Sequence, residues 1–554
     1  MRTSHFLLAG LAMTAAACGN RQAVEADYQV VPLPQEISLT AGEAAFTLSP
    51  KTRIVASDSA QRSNAELFAG YVRTMAGFTP EITDKAPAGD YIRLRATLDG
   101  AGSEAYTLTV NADSIVVDGG SAAGTFYGLQ TLRKAIPEAG DHNVLYPAGT
   151  VTDAPRFAYR GSHLDVSRHF FTPDSVKIFI DMIALHNINR LHWHLTDDQG
   201  WRLEIKSRPE LTSVGSKRSG SMTGSKRGDT LRYDSIPYGG YYTQEQVRDI
   251  VDYAAARHIT IVPEIDLPGH MQAALAAYPE LGCTGGPYEV WCRWGISDDV
   301  LCAANDSTYA LLDDVMAEVV ELFPSEYIHI GGDECPKTRW EKCPKCQSLI
   351  RSLGLKDDKN GTAEQKLQSH VMKHVTDYLE ARGRKVIGWD EILEGNIPEG
   401  AVVMSWRGID GGIAAANSGH DAIMTPHTHL YFDYCQSDSP DEPLAPHWAG
   451  PKTVATVYGY EPVPDVLSPE QARHIIGVQA NLWTEYVPTM RHAQYMAIPR
   501  MGALAEVQWS NAPKDYDAFL PRLARLTRIY DAEGYNYARH AFESESEEQA
   551  AEEQ

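Results

Sequence analysis

The sequence predicts an α/β fold, a (β/α)8 barrel preceded by a small α+β domain. Two observations predict it. From Arg156 onward a short apolar strand, a polar residue at its end, a loop and an amphipathic helix recur as a unit, the pattern of a parallel sheet with helical crossovers. Before Asp153 the chain alternates apolar and polar residues with the period of half-buried strands. The 554 residues leave room for one large and one smaller domain at about 150 residues each.

The small domain spans 28–153. Tyr106-Thr107-Leu108-Thr109-Val110 and Ile115-Val116-Val117 read as strands, and Asp118-Gly119-Gly120 turns the chain. Ser121 then caps a helix whose apolar positions Phe126, Leu129 and Leu132 stop at Ile136-Pro137. In the barrel, 156–510, strands are expected at 158–165, 189–196, 259–265, 326–332, 385–389, 401–406, 421–425 and 475–482. Eight strands suggest closure. Thr172-Pro173-Asp174 supplies a cap and a first-turn proline for a helix with Val176, Phe179, Ile180 and Ile183 on one face. Thr243 and Gln246 make a capping box ahead of Val247, Ile250, Val251 and Ala254. Residues 511–554 read as a helical segment and an acidic tail.

The net charge of -24 repels nucleic acid and anionic lipid, and no basic run reverses it. The first 18 residues have the make-up of an export signal: Arg2, the apolar stretch Phe6 to Met13, and Ala15-Ala16-Ala17 before Cys18. Small residues ahead of a cysteine resemble a bacterial lipoprotein signal with Cys18 as the lipidated residue, although Ala15 replaces the more usual leucine. The expected location is the periplasm, the outer membrane or the cell surface, with membrane attachment through Cys18. Of the seven other cysteines, Cys343-Pro344-Lys345-Cys346 has zinc-ribbon spacing, but a second such pair is absent. A local disulfide or unpaired thiols are expected there. The Gly- and Ser-rich basic loop from Ser216 to Gly228 reads as mobile surface.

Strand ends in a (β/α)8 barrel share one mouth, where the chemistry lies. Here they carry Arg160 and Asp165, Asp197-Asp198, Glu264 and Asp266 with His270, Asp333-Glu334, Trp389-Asp390-Glu391, Trp406-Arg407, Tyr431 with Asp433, and Trp483 with Glu485. Carboxylates act as acids and accept hydrogen bonds from hydroxyls, and indole faces pack on the C–H surface of a sugar. Such a mouth suits a carbohydrate. His192, His194 and Asp197 are spaced as metal ligands, but same-side histidines on a barrel strand fit the packed interior better. Neighbouring residues on a strand point opposite ways, so Asp333 and Glu334 do not suit the two facing carboxylates of a double displacement, which stand about 5 Å apart. They suit instead an acid and a partner that steers a nucleophile belonging to the substrate.

His329-Ile330-Gly331-Gly332-Asp333-Glu334 resembles the signature of the glycoside hydrolase family 20 β-N-acetylhexosaminidases. The resemblance extends in order through His192 to Arg202, Pro263 to His270, Gly388-Trp389-Asp390-Glu391, Ser405-Trp406 and Gln479 to Glu485. It implies that Glu334 is the general acid and base and that Asp333 orients the 2-acetamido group of a terminal GlcNAc or GalNAc, which acts as the nucleophile. It also implies a substrate-binding set of Arg160, His270, Trp389, Trp406, Tyr431, Asp433, Trp483 and Glu485, with Asp197 supporting Glu334 through His270. The substrate would be an oligosaccharide or glycoconjugate containing N-acetylhexosamine, and the resemblance implies no metal or organic cofactor. The alternative reading is a surface carbohydrate-binding lipoprotein without turnover.

Overall fold

The computed structural model describes residues 21–224, 232–395, 397–446 and 450–542. The export signal, Cys18 and the acidic tail lie outside these residues. Eight parallel strands close a barrel: β1 (Tyr159–Asp165), β2 (Arg190–His194), β3 (Thr260–Glu264), β4 (Tyr327–His329), β5 (Lys385–Trp389), β6 (Val402–Ser405), β7 (Ala422–Met424) and β8 (Ile475–Ala480). Closure is made by β1 on β8, with Gly161 opposite Gln479. Each strand falls within a stretch expected from the sequence.

The helices start where the side chains dictate. The Thr172 hydroxyl accepts from the Ser175 amide ahead of Pro173–Leu185, and Thr243 and Gln246 form the reciprocal box ahead of Gln244–Ala255. One amide is thereby satisfied at the first start and two at the second.

The small domain is a seven-stranded mixed sheet carrying the helices Ser59–Ala76 and Ala122–Ala135. The second helix docks on the barrel. Lys134 Nζ donates to Asn187 Oδ1 at 3.0 Å, Arg133 pairs with Glu533 at 2.5 Å, and the Tyr127 ring meets Trp509 edge-on at 4.9 Å. Glu533 closes the helix Tyr516–Glu533, which follows the barrel.

Two expectations are corrected by the fold. Arg160 is the second residue of β1, so it lies at the strand's entry, opposite the mouth. Its guanidinium grips Glu104 of the small domain through Nη1 at 2.7 Å and Nη2 at 3.0 Å, and donates to Phe157 O and Asn187 O. It is a joint between domains and does not reach a sugar. The described part of the 216–228 loop is built in rather than loose: Lys217–Arg218 pairs with Tyr238–Gly239, and the buried Arg218 lies over the rings of Tyr238 and Trp294. Four cysteines also meet, because Cys283 and Cys302, far from Cys343 and Cys346 in sequence, fold onto them. The seven described cysteines form no disulfide.

Candidate active site

Strand β4 ends at His329, shorter than expected, because the next residues leave strand geometry. Gly331 and Gly332 take φ of 63° and 99°, and Glu334 itself takes 45°. A side chain at Gly331 would put its Cβ 1.7 Å from Asp266 Oδ1, so only glycine fits. Asp266 Oδ1 accepts from the Gly332 amide at 3.2 Å, and Gln368 Nε2 donates to Gly332 O at 2.7 Å. Asp333 and Glu334 therefore sit on a turn clamped from both sides, and the alternation expected of strand neighbours does not apply.

Both carboxylates turn toward one imidazole. His270 Nε2 lies 3.8 Å from Asp333 Oδ2 and 3.7 Å from Glu334 Oε2. Its Nδ1 faces Asp197 Oδ1 at 3.2 Å and Asp198 Oδ2 at 3.5 Å, so Asp197 is the nearer support. Burial opposes charge on His270, but Asp197 with Asp198 and Asp333 outweighs it and holds the ring protonated well above the usual histidine range. Asp333 is buried, and its pKa is raised chiefly by desolvation, with His270 pulling the other way. Glu334 leaves 37% of its side chain exposed, open to the mouth. Desolvation in the concave site still raises its pKa, against His270 and with Asp333.

Arg168, which sequence reasoning missed, completes the charge balance. It pairs with Asp197 at 2.8 Å and Asp165 at 3.3 Å, and its guanidinium lies 4.9 Å from the centre of the Trp483 ring. It follows Asp165 by three residues, so the strand-end argument that picked Arg160 reaches Arg168 once the strand's direction is respected.

Under the mouth, Glu264 gathers the barrel-interior histidines. His192 Nε2 lies at 2.9 Å, His329 Nδ1 at 3.0 Å and His194 Nδ1 at 2.5 Å, while His194 Nε2 reaches Asp197 at 3.0 Å. Burial holds the His192 pKa at about 4, whereas for His194 the carboxylates overcome burial and raise it to about 10. His194 is thus tied into a hydrogen-bonded core.

The walls are aromatic. Trp389 is buried and donates Nε1 to Glu264 Oε1 at 2.9 Å, with its ring 5.8 Å from that of Trp483. Trp406 and Trp483 are half-buried. Trp406 is stacked with Tyr431 at 6.2 Å and 18° and donates Nε1 to Glu391 Oε2 at 3.0 Å. Glu391 was quoted in a motif but not chosen as a site residue. Burial, reinforced by Asp333 and Asp390, raises its pKa to about 8. Burial likewise raises Asp433 and Glu485, and for Asp433 the charge of Glu485 adds to it. Asp333 Oδ1 and Asp433 Oδ1 are buried without a hydrogen-bond partner among the described residues, which marks both as acceptors for something that enters. Apart from Arg160, the substrate-binding set expected from the sequence falls at this end of the barrel.

An (β/α)8 barrel whose mouth combines clustered carboxylates with indole walls belongs to the class of carbohydrate-acting barrel hydrolases. The model of the glycosyl hydrolase family 20 catalytic domain matches residues 157–512, and that of the family's domain 2 matches 27–154. A beta-hexosaminidase of Porphyromonas gingivalis is 43% identical over 519 residues, which are 92% of this chain and 64% of that one. A beta-N-acetylhexosaminidase of Cellulomonas fimi is 34% identical over 92% of this chain and 96% of its own length. The solved structure of an exo beta-N-acetylglucosaminidase from Vibrio harveyi in complex with N-acetylglucosamine superposes with a TM-score of 0.81 at 31% identity, covering 94% of this chain and 80% of that one. The chain belongs to glycosyl hydrolase family 20.

Proposed function

We propose that this chain is an exo-acting, retaining β-N-acetylhexosaminidase that removes terminal GlcNAc or GalNAc by substrate-assisted catalysis. The observation that carries the proposal is the acid turn: two adjacent carboxylates on one wall, sharing His270, with Asp333 Oδ1 buried and without a hydrogen-bond partner among the described residues. In this reading Asp333 accepts the acetamido N–H and pushes the acetamido carbonyl oxygen onto the anomeric carbon, while Glu334 protonates the departing glycosidic oxygen. An oxazolinium forms. Glu334, now a carboxylate, takes a proton from the water that reopens it, which restores the original anomeric configuration. Trp389, Trp406 and Trp483 enclose the acetamido group and ring, Tyr431 donates to the acetamido oxygen, and Asp433 and Glu485 accept from sugar hydroxyls. The Vibrio harveyi protein's complex with N-acetylglucosamine supports the choice of sugar.

Export, with lipidation at Cys18, completes the proposal and rests on the first 18 residues alone. A Cys18→Ser chain that still takes up labelled fatty acid would refute lipidation.

The deciding experiment uses Glu334→Gln. General acids contribute about 10²- to 10⁴-fold, so a disaccharide with a poor leaving group is expected to lose that much turnover. An aryl glycoside whose leaving group needs no proton loses far less in its first step. Equal losses on both substrates would remove Glu334 from the acid's role. Matched aryl glycosides of glucose, which lack the acetamido group, are expected to be inert in wild type.

A further inference from the structure

We propose that Cys283, Cys302, Cys343 and Cys346 form a structural zinc site. Their four sulfurs lie within 4.8 Å of one another, and Cys346 Sγ stands 3.6 Å from Cys302 Sγ and 3.9 Å from Cys283 Sγ. A zinc ion with four thiolates at about 2.3 Å in a tetrahedron separates its sulfurs by about 3.8 Å. One cysteine at comparable distance from two others describes a shared centre, whereas two disulfides would segregate the four into pairs.

The surrounding backbone builds the site from two directions. Gly282 bridges to Leu301 in antiparallel fashion and the Cys302 amide donates to Leu281 O at 2.8 Å, which sets Cys283 beside Cys302. Cys343 is the N-cap of the helix Pro344–Leu353, without a side-chain capping bond, and Cys346 lies in its first turn. The free amides of that helix start favour thiolates over thiols. Cys302, Cys343 and Cys346 are buried and Cys283 partly so, as a closed four-ligand site requires. On binding, the thiols release their protons and the ion takes the resulting thiolates as ligands.

The site ties together the two excursions that make the acid wall. Cys283 and Cys302 belong to the segment after β3 that carries His270, and Cys343 and Cys346 follow Glu334 in the segment after β4. Between them, Arg339 pairs with Asp299 at 2.7 Å and Trp340 Nε1 donates to Leu301 O at 2.9 Å. Zinc would lock this seam and take no part in the reaction.

The test is elemental analysis of the purified chain together with thiol counting. About one zinc per chain is expected, and a strong chelator is expected to release it while four further thiols become reactive and the melting temperature drops by on the order of 10 °C. Cobalt(II) added to the stripped chain is expected to show thiolate-to-metal charge transfer and the visible bands of a tetrahedral tetrathiolate. A Cys302→Ser/Cys346→Ser chain is expected to lose the zinc. Since that variant can fail to fold, the chelator and cobalt measurements on the unaltered chain stand independently. A chain isolated with two disulfides among these cysteines would overturn the proposal, as would four free thiols that ignore added zinc, or full zinc retention by a folded double variant.

Discussion

At the scale of single residues the site is governed by which charge faces which. Burial raises both Asp333 and Glu334, and the His270 cation between them opposes that rise. In the proposed mechanism Asp333 works ionised, so activity climbs as pH passes its pKa, and Glu334 works protonated at first, so activity falls as pH passes its own. Replacing His270 with Asn removes a positive charge near both. The two pKa values then rise, and both limbs of the kcat profile are expected to move up by about 1 pH unit. A profile that loses height without moving would mean His270 acts only on geometry. Asp333→Asn is expected to lower kcat by about 10²- to 10³-fold with a much smaller change in KM, because the acetamido interaction strengthens toward the transition state. A loss confined to KM would refute that role. Much of this residue list was legible in the sequence, since acids and tryptophans at strand ends announce a mouth. Arg160 and Arg168 show the limit: Arg160 stands at the entry of the expected strand 158–165, so the strand-end argument holds only when the strand's direction is followed past Asp165 to Arg168. Glu391 was visible as part of a motif, yet its raised pKa arises first from burial and then from the charge of Asp333, which the fold brings beside it, and no linear reading supplies either.

At the scale of elements the turn after β4 decides where the acids point. Eight strands and their capped helices could be drawn from apolar runs and Ser or Thr caps because these are local signals. The turn was legible as two glycines but not as a shape, since its form depends on Asp266, from another strand's loop, occupying the space where a Cβ would stand. Gly331→Ala therefore combines an unfavourable φ with a clash. It is expected to destabilise the chain by about 1–3 kcal/mol and to cut kcat further than its stability loss explains, because the acids turn with the backbone. A melting curve and a kcat measurement well below the transition separate the two effects. Wild-type turnover in Gly331→Ala would show that the turn's exact path is unimportant. The loop 216–224 makes a related point: its Gly and Ser content suggested mobility, but Arg218 finds two rings to lie on, and that partner choice is tertiary.

At the scale of the whole molecule the question is what joins the small domain to the barrel. Arg160 is fully buried and donates to Glu104, whose side chain is 18% exposed. Burial alone would raise the Glu104 pKa, but Arg160 outweighs it and the result is a lowered value. A carboxyl depressed in the folded state contributes stability above its unfolded pKa of about 4.3 and loses that contribution as pH falls through the folded value. Acidification from pH 5 downward is therefore expected to loosen this joint. Glu104→Gln leaves the Arg160 charge buried with only neutral acceptors around it, which is expected to cost about 3 kcal/mol near neutral pH. The same variant should lack this component of acid sensitivity, so its stability difference from wild type narrows toward pH 3. Adding Arg160→Met to Glu104→Gln removes the stranded charge and is expected to restore part of the loss, since breaking a buried pair costs more than deleting it. Melting temperatures of the wild type, the two single variants and the double variant across that pH range complete the cycle. If Arg160 touched the sugar, Arg160→Met would raise KM in proportion to lost binding. If it joins the domains, as its bonds to Glu104, Phe157 and Asn187 indicate, Arg160→Met lowers stability while KM of the molecules that remain folded stays within about twofold, because a joint at the far end of the barrel makes no contact that differs between free and bound enzyme.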